Sequence, residues 1–540
     1  MPTGLMQRTA LNIIDIARYA ATAHGTREIV SRNVDEPFWR YDYAQAWPRI
    51  AQAAAMLAAY GVEPGDRVCS LAWNTHRHLE LFFAVPGMGA ILHTANPRLS
   101  DEHLVFTIND AGSKVVLVER NLLAAVERVR DQLTSVEHVV VLSDEERTPP
   151  KHVGYEMLIA EQSPAYEWPP VNEDDGAFLC YTSGTTGSPK GVMYSHRSVV
   201  LHALASGLTG ALGFSAFDAV MPCQSLYHAN AWGLPFAGAI NGVKFVLPAD
   251  RFDGPSLDEL IHNEGVTFAG GVPTIFTMYL DYLDRAKTGT CGLQRVIIGG
   301  SALPRVMAER LAAHGVVVQQ IWGMTETSPL GFVSTSTPAL AELGPEQEQE
   351  VLWTRQGRPL FGFESKIVDD CGHNLAHDGA SPGALMVRGP WVLERYYRAD
   401  HSAVDADKWF DTGDIATIDA MGYMRITDRG KDVIKSGGEW ISSIDLENAA
   451  VAHPSVKIAA VIGIPDSKWE ERPLLFIELV EDLSFDEAAI RRHLESRVAR
   501  WWIPERIVVS EVPLNATGKI DKARLRKRYH EMTADSGIQS

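Results

Sequence analysis

The chain has 540 residues, 46% hydrophobic and 22% charged, too long for one compact core, so two or more domains are expected. Its net charge of −19 argues against nucleic-acid binding and against broad attachment to anionic lipid. Five dispersed cysteines, Cys69, Cys180, Cys223, Cys291 and Cys371, show no ligand spacing, which points to a reduced, cytoplasmic protein without structural zinc.

The first ten residues carry Arg8 and no long apolar run, so no signal peptide is expected. Leu81 to Leu92 is interrupted by Pro86, Gly87 and Gly89 and is too short to cross a bilayer. Helical spacing marks Leu11 to Ala21 and an Ala-rich helix from Asp42 to Tyr60. Val68 to Trp73 reads as a strand and Leu79 to Pro86 as a buried segment. Short strands at Lys114 to Glu119 and Val136 to Leu142 flank a helix. Thr148 to Asp175 is polar and reads as a surface excursion. From Ala177 to Ile321 strands and helices alternate, the rhythm of a doubly wound sheet. From about Gly357 short strands and Gly-rich turns take over. Asp428 to Asp432 reads as a polar hinge, and the remainder is a self-contained α+β pattern. The expected fold is α/β. A large N-terminal domain (1–430) would hold doubly wound sheets and a β-rich subdomain (about 357–427). A small mobile α+β domain (431–540) would follow.

Chemistry concentrates in four places. Tyr181-Thr-Ser-Gly-Thr-Thr-Gly-Ser-Pro-Lys190-Gly191 follows a strand and is rich in backbone N–H groups and hydroxyls. Glycine lets such a backbone approach an anion closely, and Lys190 adds a point charge. A surface turn has the same composition, and the Walker A ending is absent. Trp322-Gly323-Met324-Thr325-Glu326 sets a carboxylate beside a hydroxyl at a strand end. Asp411-Thr-Gly-Asp414 reads as a turn with two carboxylates, and Thr517-Gly-Lys519 offers a late lysine. Read alone, Lys519 is a solvated turn lysine, His228 a half-buried histidine and Trp232 a core residue.

In this order the four resemble the adenylate-forming superfamily of acyl-CoA synthetases, luciferases and peptide-synthetase adenylation domains, over Leu11 to Tyr529. The resemblance is strongest to bacterial medium- and long-chain fatty-acyl-CoA synthetases and methylmercaptopropionate-CoA ligases. It implies that Thr182, Ser183, Gly184, Thr185, Thr186, Gly187 and Lys190 hold the β- and γ-phosphates of ATP, with Thr182 and Glu326 on Mg²⁺. Gly300, Ser301, Ala302, Trp322, Gly323, Met324 and Thr325 would line the nucleotide, Trp322 standing where the family usually has Tyr. Asp414 and Arg429 would meet the ribose. Lys519 and His228 would act in catalysis with Glu326. His228, Trp232, Val272, Ile275 and Gly299 would line the acyl pocket, Trp232 resembling a gate. Lys431 would be the hinge, and Lys435, Gly437, Gly438, Glu439 and Trp440 would face CoA. An ATP-dependent acid–CoA ligase follows, expected as a homodimer. It would act on a short- or medium-chain fatty acid or a thioether acid such as 3-methylmercaptopropionate. Alternatives are a long-chain synthetase, an adenylating enzyme with another acceptor, and a non-catalytic nucleotide-binding homologue.

Overall fold

The computed structural model describes residues 4–144, 146–182, 189–430, 432–436, 439–466, 468–481, 483–515 and 519–535, with the backbone alone at 439, 440 and 533–535. Lys431, Ser183, Gly184, Thr185, Thr186, Gly187, Gly437 and Gly438 lie outside the described residues.

Two large sheets form the body. The seven-stranded one runs, in spatial order, Val153–Gly154, His138–Leu142, Ser113–Glu119, Arg67–Leu71, Ile91–Thr94, Gly176–Tyr181 and Gly191–Ser195. Its first six strands are parallel and the last is antiparallel. The nine-stranded sheet has a parallel centre of Val317–Gly323, Arg295–Ile298, Phe268–Gly271, Ala219–Pro222, Lys244–Leu247 and Glu28–Ser31. Parallel strands need crossovers, and the helices expected from the sequence supply them. Pro273–Ala286 and Arg305–Ala313 each connect neighbouring strands of this sheet.

The helix His76–Gly87 is buried along all 12 residues. A helix covered all round has no polar stripe, so this stretch reads in sequence only as a buried segment. Phe82 packs on Phe178 and Phe236, with ring centroids 5.2 and 5.8 Å away. Its charges are paired: Arg77 reaches Glu36 and Glu156 at 2.8 Å each, and Glu80 accepts from Arg49 at 2.6 Å.

A four-stranded antiparallel sheet follows: Glu364–Val368, Gly383–Arg388, Phe410–Ile418 and Met424–Arg429. Asp411 to Asp414 belongs to its third strand rather than to a free turn, and Gly413 there takes φ +70°. Asp428 and Asp432, read in sequence as part of a solvated hinge, are 1% and 8% exposed. The last unit is a five-stranded sheet built on Val456–Asp466 and Glu470–Leu479. The helices Ser443–Val451 and Lys522–Asp535 pack on it. The excursion Thr148 to Asp175 carries the short helix Tyr155–Ala160, whose Tyr155 is fully buried.

Candidate active site

Open α/β sheets expose their loops at the carboxyl ends of parallel strands. Thr182 follows Gly176–Tyr181, His228 and Trp232 follow Ala219–Pro222, Val272 follows Phe268–Gly271 and Gly300 follows Arg295–Ile298. These ends meet in a cleft of about 530 Å³. Lys190, Gly323, Met324, Thr325, Glu326, Arg429 and Lys519 line it with them.

Thr182 and Lys190 close the neck of the loop. Thr182 N donates to Lys190 O at 2.9 Å, and Lys190 N donates to Thr182 Oγ1 at 3.1 Å. The Lys190 ammonium stands 4.8 Å from the ring centre of Tyr396, a cation–π distance. Tyr396 in turn donates to Glu326 Oε1 at 2.8 Å. Burial raises the Glu326 carboxyl above its ordinary pKa, against the lowering effect of that hydrogen bond. Thr325 is anchored through its carbonyl, which accepts from Tyr194 Oη at 2.7 Å.

Trp322, expected against the adenine, is 8% exposed and packs edge-to-face on Phe332 and Phe363 instead. Its ring does not line the cleft. Its Nε1–H is donated to Asp414 Oδ2 at 2.9 Å, while Arg429 Nε lies 3.0 Å from Asp414 Oδ1 without the direction of a hydrogen bond. Asp414 therefore keeps one buried oxygen with a cation beside it and no directed donor.

Lys519 comes from the far end of the chain. A Cβ placed on Gly300 would stand 3.3 Å from Lys519 Cε, so the absent side chain there gives the lysine its path. Burial, then the Arg429 charge, pull the Lys519 amine down to about 8 against the opposing pull of Asp414 and Glu326. Burial and Lys519 hold His228 neutral, with a pKa of about 3.

On the apolar side, Trp232, Val272, Ile321 and Leu330 line the cleft. Gly299 and Ile275, expected with them, stand behind the wall. A Cβ on Gly299 would meet Ile321 Cγ1 at 2.5 Å, and Ile275 belongs to the core beneath with Leu303 and Met307. Trp232 sits in an unusual turn. Ala229, Asn230, Ala231 and Trp232 have φ of 45°, 55°, 48° and 59°, followed by Gly233 at 76°. Left-handed runs of L-residues are disfavoured at every step. Here Gln224 Nε2 holds the Ala231 carbonyl at 3.0 Å and Cys180 Sγ donates to Asn230 Oδ1 at 3.4 Å.

A second groove, of about 640 Å³, opens on the other side of Gly300 and Lys519, between Ser301 and Ala302 and the last unit of the chain. Lys435 lies on the hairpin of Ile434–Ser436 and Glu439–Ile441, away from both openings. Glu439 and Trp440 lie on the hairpin's second strand. Tyr396 and Tyr194 were not singled out in the sequence; nothing in their spacing ties them to Glu326 or Thr325.

A parallel two-sheet α/β body with such a cleft at its strand ends defines a nucleotide-binding enzyme. The chain belongs to the AMP-binding enzymes: the family model of that description matches residues 17–397, and that of the AMP-binding enzyme C-terminal domain matches 445–519. It is 44% identical to a 3-methylmercaptopropionyl-CoA ligase of Ruegeria lacuscaerulensis over 98% of this chain and 99% of that protein. It is 42% identical to a medium-chain-fatty-acid–CoA ligase of Ectopseudomonas oleovorans over 98% of each. The fold matches that of an anthranilate CoA ligase solved with anthranoyl-AMP, with TM-score 0.87, 24% identity and coverage of 98% and 99%. No helix among the described residues is long and apolar enough to cross a membrane.

Proposed function

We propose that this protein is an AMP-forming, ATP-dependent carboxylic acid–CoA ligase. We place it on a short- or medium-chain fatty acid or a thioether acid such as 3-methylmercaptopropionate, as a cytoplasmic homodimer. The observation that carries the reading is the meeting of Lys519 with Thr182, Lys190, Glu326 and His228 around one cleft.

A carboxylate is a poor acyl donor. In the first half-reaction its oxygen attacks the α-phosphorus of ATP, the bond to the bridging oxygen breaks, and pyrophosphate leaves with that electron pair. Two anions must approach, so cations belong where they meet. The Lys519 ammonium reaches this point through the gap at Gly300. Lys190, on the cleft wall, supplies a positive charge for the leaving phosphates. The Glu326 carboxylate and the Thr182 hydroxyl are hard oxygen donors on the same cleft, the donor set that suits Mg²⁺. These two residues would hold the ion, whose charge would offset that of the phosphates. The buried oxygen of Asp414 is the acceptor for a ribose hydroxyl, and Trp322 fixes its carboxylate from behind.

In the second half-reaction the CoA sulfur attacks the carbonyl carbon of the acyl-adenylate. The bond to the phosphate oxygen breaks, AMP leaves with its electron pair, and the thiol proton is released. Neutral His228 sits where the acyl group meets the cleft and donates or accepts without adding charge. Val272, Ile321, Leu330 and the Trp232 indole bury the chain, each methylene contributing about 0.8 kcal/mol. The bulk of Trp232 favours short chains.

The test is AMP release from ATP with acids from propionate and 3-methylmercaptopropionate to palmitate, with and without CoA. CoA-dependent release that peaks at one short or medium acid supports the reading. A palmitate optimum moves the substrate to long chains, exchange of pyrophosphate without CoA turnover moves the acceptor, and silence with every acid rejects the reading.

A further inference from the structure

The strand Met424–Arg429 ends the four-stranded sheet, and the helix Ser443–Val451 is the first helix of the last unit, after its hairpin Ile434–Ser436 and Glu439–Ile441. Residue 431 lies between them. One buried carboxylate joins the two elements directly. Asp428 Oδ2 accepts from Ser443 N at 2.6 Å, and Asp428 Oδ1 accepts from Ser443 Oγ at 3.0 Å and from its neighbour Arg429 N at 2.8 Å. Both oxygens are satisfied and the side chain is 1% exposed.

This bond does three things at once. A carboxylate on the first N–H of a helix complements the positive end of its dipole. It also binds a hydroxyl that itself accepts from a lysine: Lys522 Nζ donates to Ser443 Oγ and reaches Glu447 Oε1 at 2.8 Å. And Lys522 opens the helix Lys522–Asp535, three residues after Lys519. The path from the sheet to the cleft lysine is therefore Asp428, Ser443, Lys522, Lys519, with buried polar contacts through Lys522 and three residues of chain after it. Hydrogen-bonded chains of this kind in a low dielectric are worth more than their separate pairs. Other bonds run beside it: Arg425, half-exposed, pairs with Asp445 at 2.6 Å, and Ser442 Oγ donates to the Thr427 carbonyl.

The requirement on these contacts differs between the two half-reactions. Lys519 is needed where the carboxylate meets ATP. It occupies the cleft wall beside Gly300, close to where a thiol must later approach the same carbonyl.

We propose that Asp428 is a positioning residue for adenylate formation: its carboxylate, through Ser443 and Lys522, seats Lys519 in the cleft, and it has no part in thiol transfer. This rests on the acid–CoA ligase reading above. The carboxylate touches no reactant, so its effect is on where Lys519 stands.

The two half-reactions are measured separately, with the acid of the panel that the wild type uses fastest. ATP–pyrophosphate exchange reads the first, and acyl-CoA formation from supplied acyl-adenylate reads the second. Asp428→Ala and Ser443→Ala are expected to slow exchange about 10- to 100-fold, the loss of one or two buried charge-assisted bonds. Transfer from supplied adenylate is expected to stay within about threefold of wild type, or to rise, because it does not use the seated lysine. Asp428→Asn, which turns one acceptor into a donor facing Ser443 N–H, falls between. It carries the test together with Ser443→Ala should Asp428→Ala fail to fold. Equal losses in both half-reactions, or exchange at wild-type rate, overturn the proposal. A wild-type enzyme that performs neither half-reaction rejects the ligase reading itself, a different result from the variants.

Discussion

Trp322 and Asp414 are joined by a single 2.9 Å hydrogen bond, indole Nε1 to carboxylate Oδ2, beneath the cleft rather than on its surface. In the proposed reading, the bond fixes which Asp414 oxygen is left for a ribose hydroxyl. Trp322→Phe keeps an aromatic ring between Phe332 and Phe363 and removes the donor. The expected result is a KM for ATP raised about 5- to 20-fold with kcat within about twofold, the effect of one hydrogen bond to a charged group. ATP titrations of pyrophosphate exchange at saturating acid check it. An unchanged KM would mean the indole only fills space.

In the proposed reaction Lys519 works as a cation, and its site pulls it down to about 8. Below that value the amine is charged; above it, the charge is lost. In the free enzyme kcat/KM for adenylate formation should therefore fall about tenfold per pH unit above pH 8. Lys519→Ala should lower exchange about 100- to 1,000-fold and abolish that alkaline limb. Bound phosphates add negative charge, so the kcat profile should break at a higher pH than the kcat/KM profile.

The left-handed turn at the pocket reverses an ordinary substitution rule. In the right-handed helix His196–Gly207, replacing the buried Ala203 with Gly should cost about 1–2 kcal/mol from backbone freedom and a lost methyl. Ala231 has φ 48° and ψ 41°, where an alanine bears roughly 1–2 kcal/mol of strain that glycine does not. Ala231→Gly should be close to neutral by denaturant unfolding. Gly233→Ala should be strongly destabilising, because its Cβ would stand 2.5 Å from His202 Cε1.

Buried neutral histidines give the acid limit of stability. Burial holds His78 at about 4, and His93 and His202 at about 3, against 6.5 in the ordinary state. Unfolding lets them take up protons below pH 6.5. The stability they confer is thus complete above that pH and declines as pH falls toward their folded values, about 1.4 kcal/mol per pH unit for each. Glu119, pushed up to about 8 by burial, acts in the opposite sense between pH 8 and 4.5. The balance is a Tm that drops steeply below about pH 6. Replacing His93 with Gln should flatten that slope by about one proton.

Much of the architecture is legible because strand and helix periods differ. Ala177 to Tyr181, the strand before the phosphate-type loop, lies within Gly176–Tyr181. What escapes reading is burial on two sides and contact at long range. The helix His76–Gly87 has no polar stripe to reveal its period. Asp411 to Asp414 carries the composition of a turn, yet Gly413 only bends a strand that continues to Ile418. Asp428 looks solvated among charged neighbours, and only Ser443, 15 residues later, explains its burial. Ile275 shares the apolar character of Val272 but is wholly in the core with Leu303 and Met307, whereas Val272 packs on that core and also lines the cleft, which composition does not encode.

The ligand-facing residues from Thr182 to Arg429 all precede the lysine that closes the cleft at position 519. During synthesis, an emerging chain would complete the sheets and the walls around the nucleotide well before it acquires that charge. The charge at position 519 is thus the last part of the cleft wall to leave the ribosome.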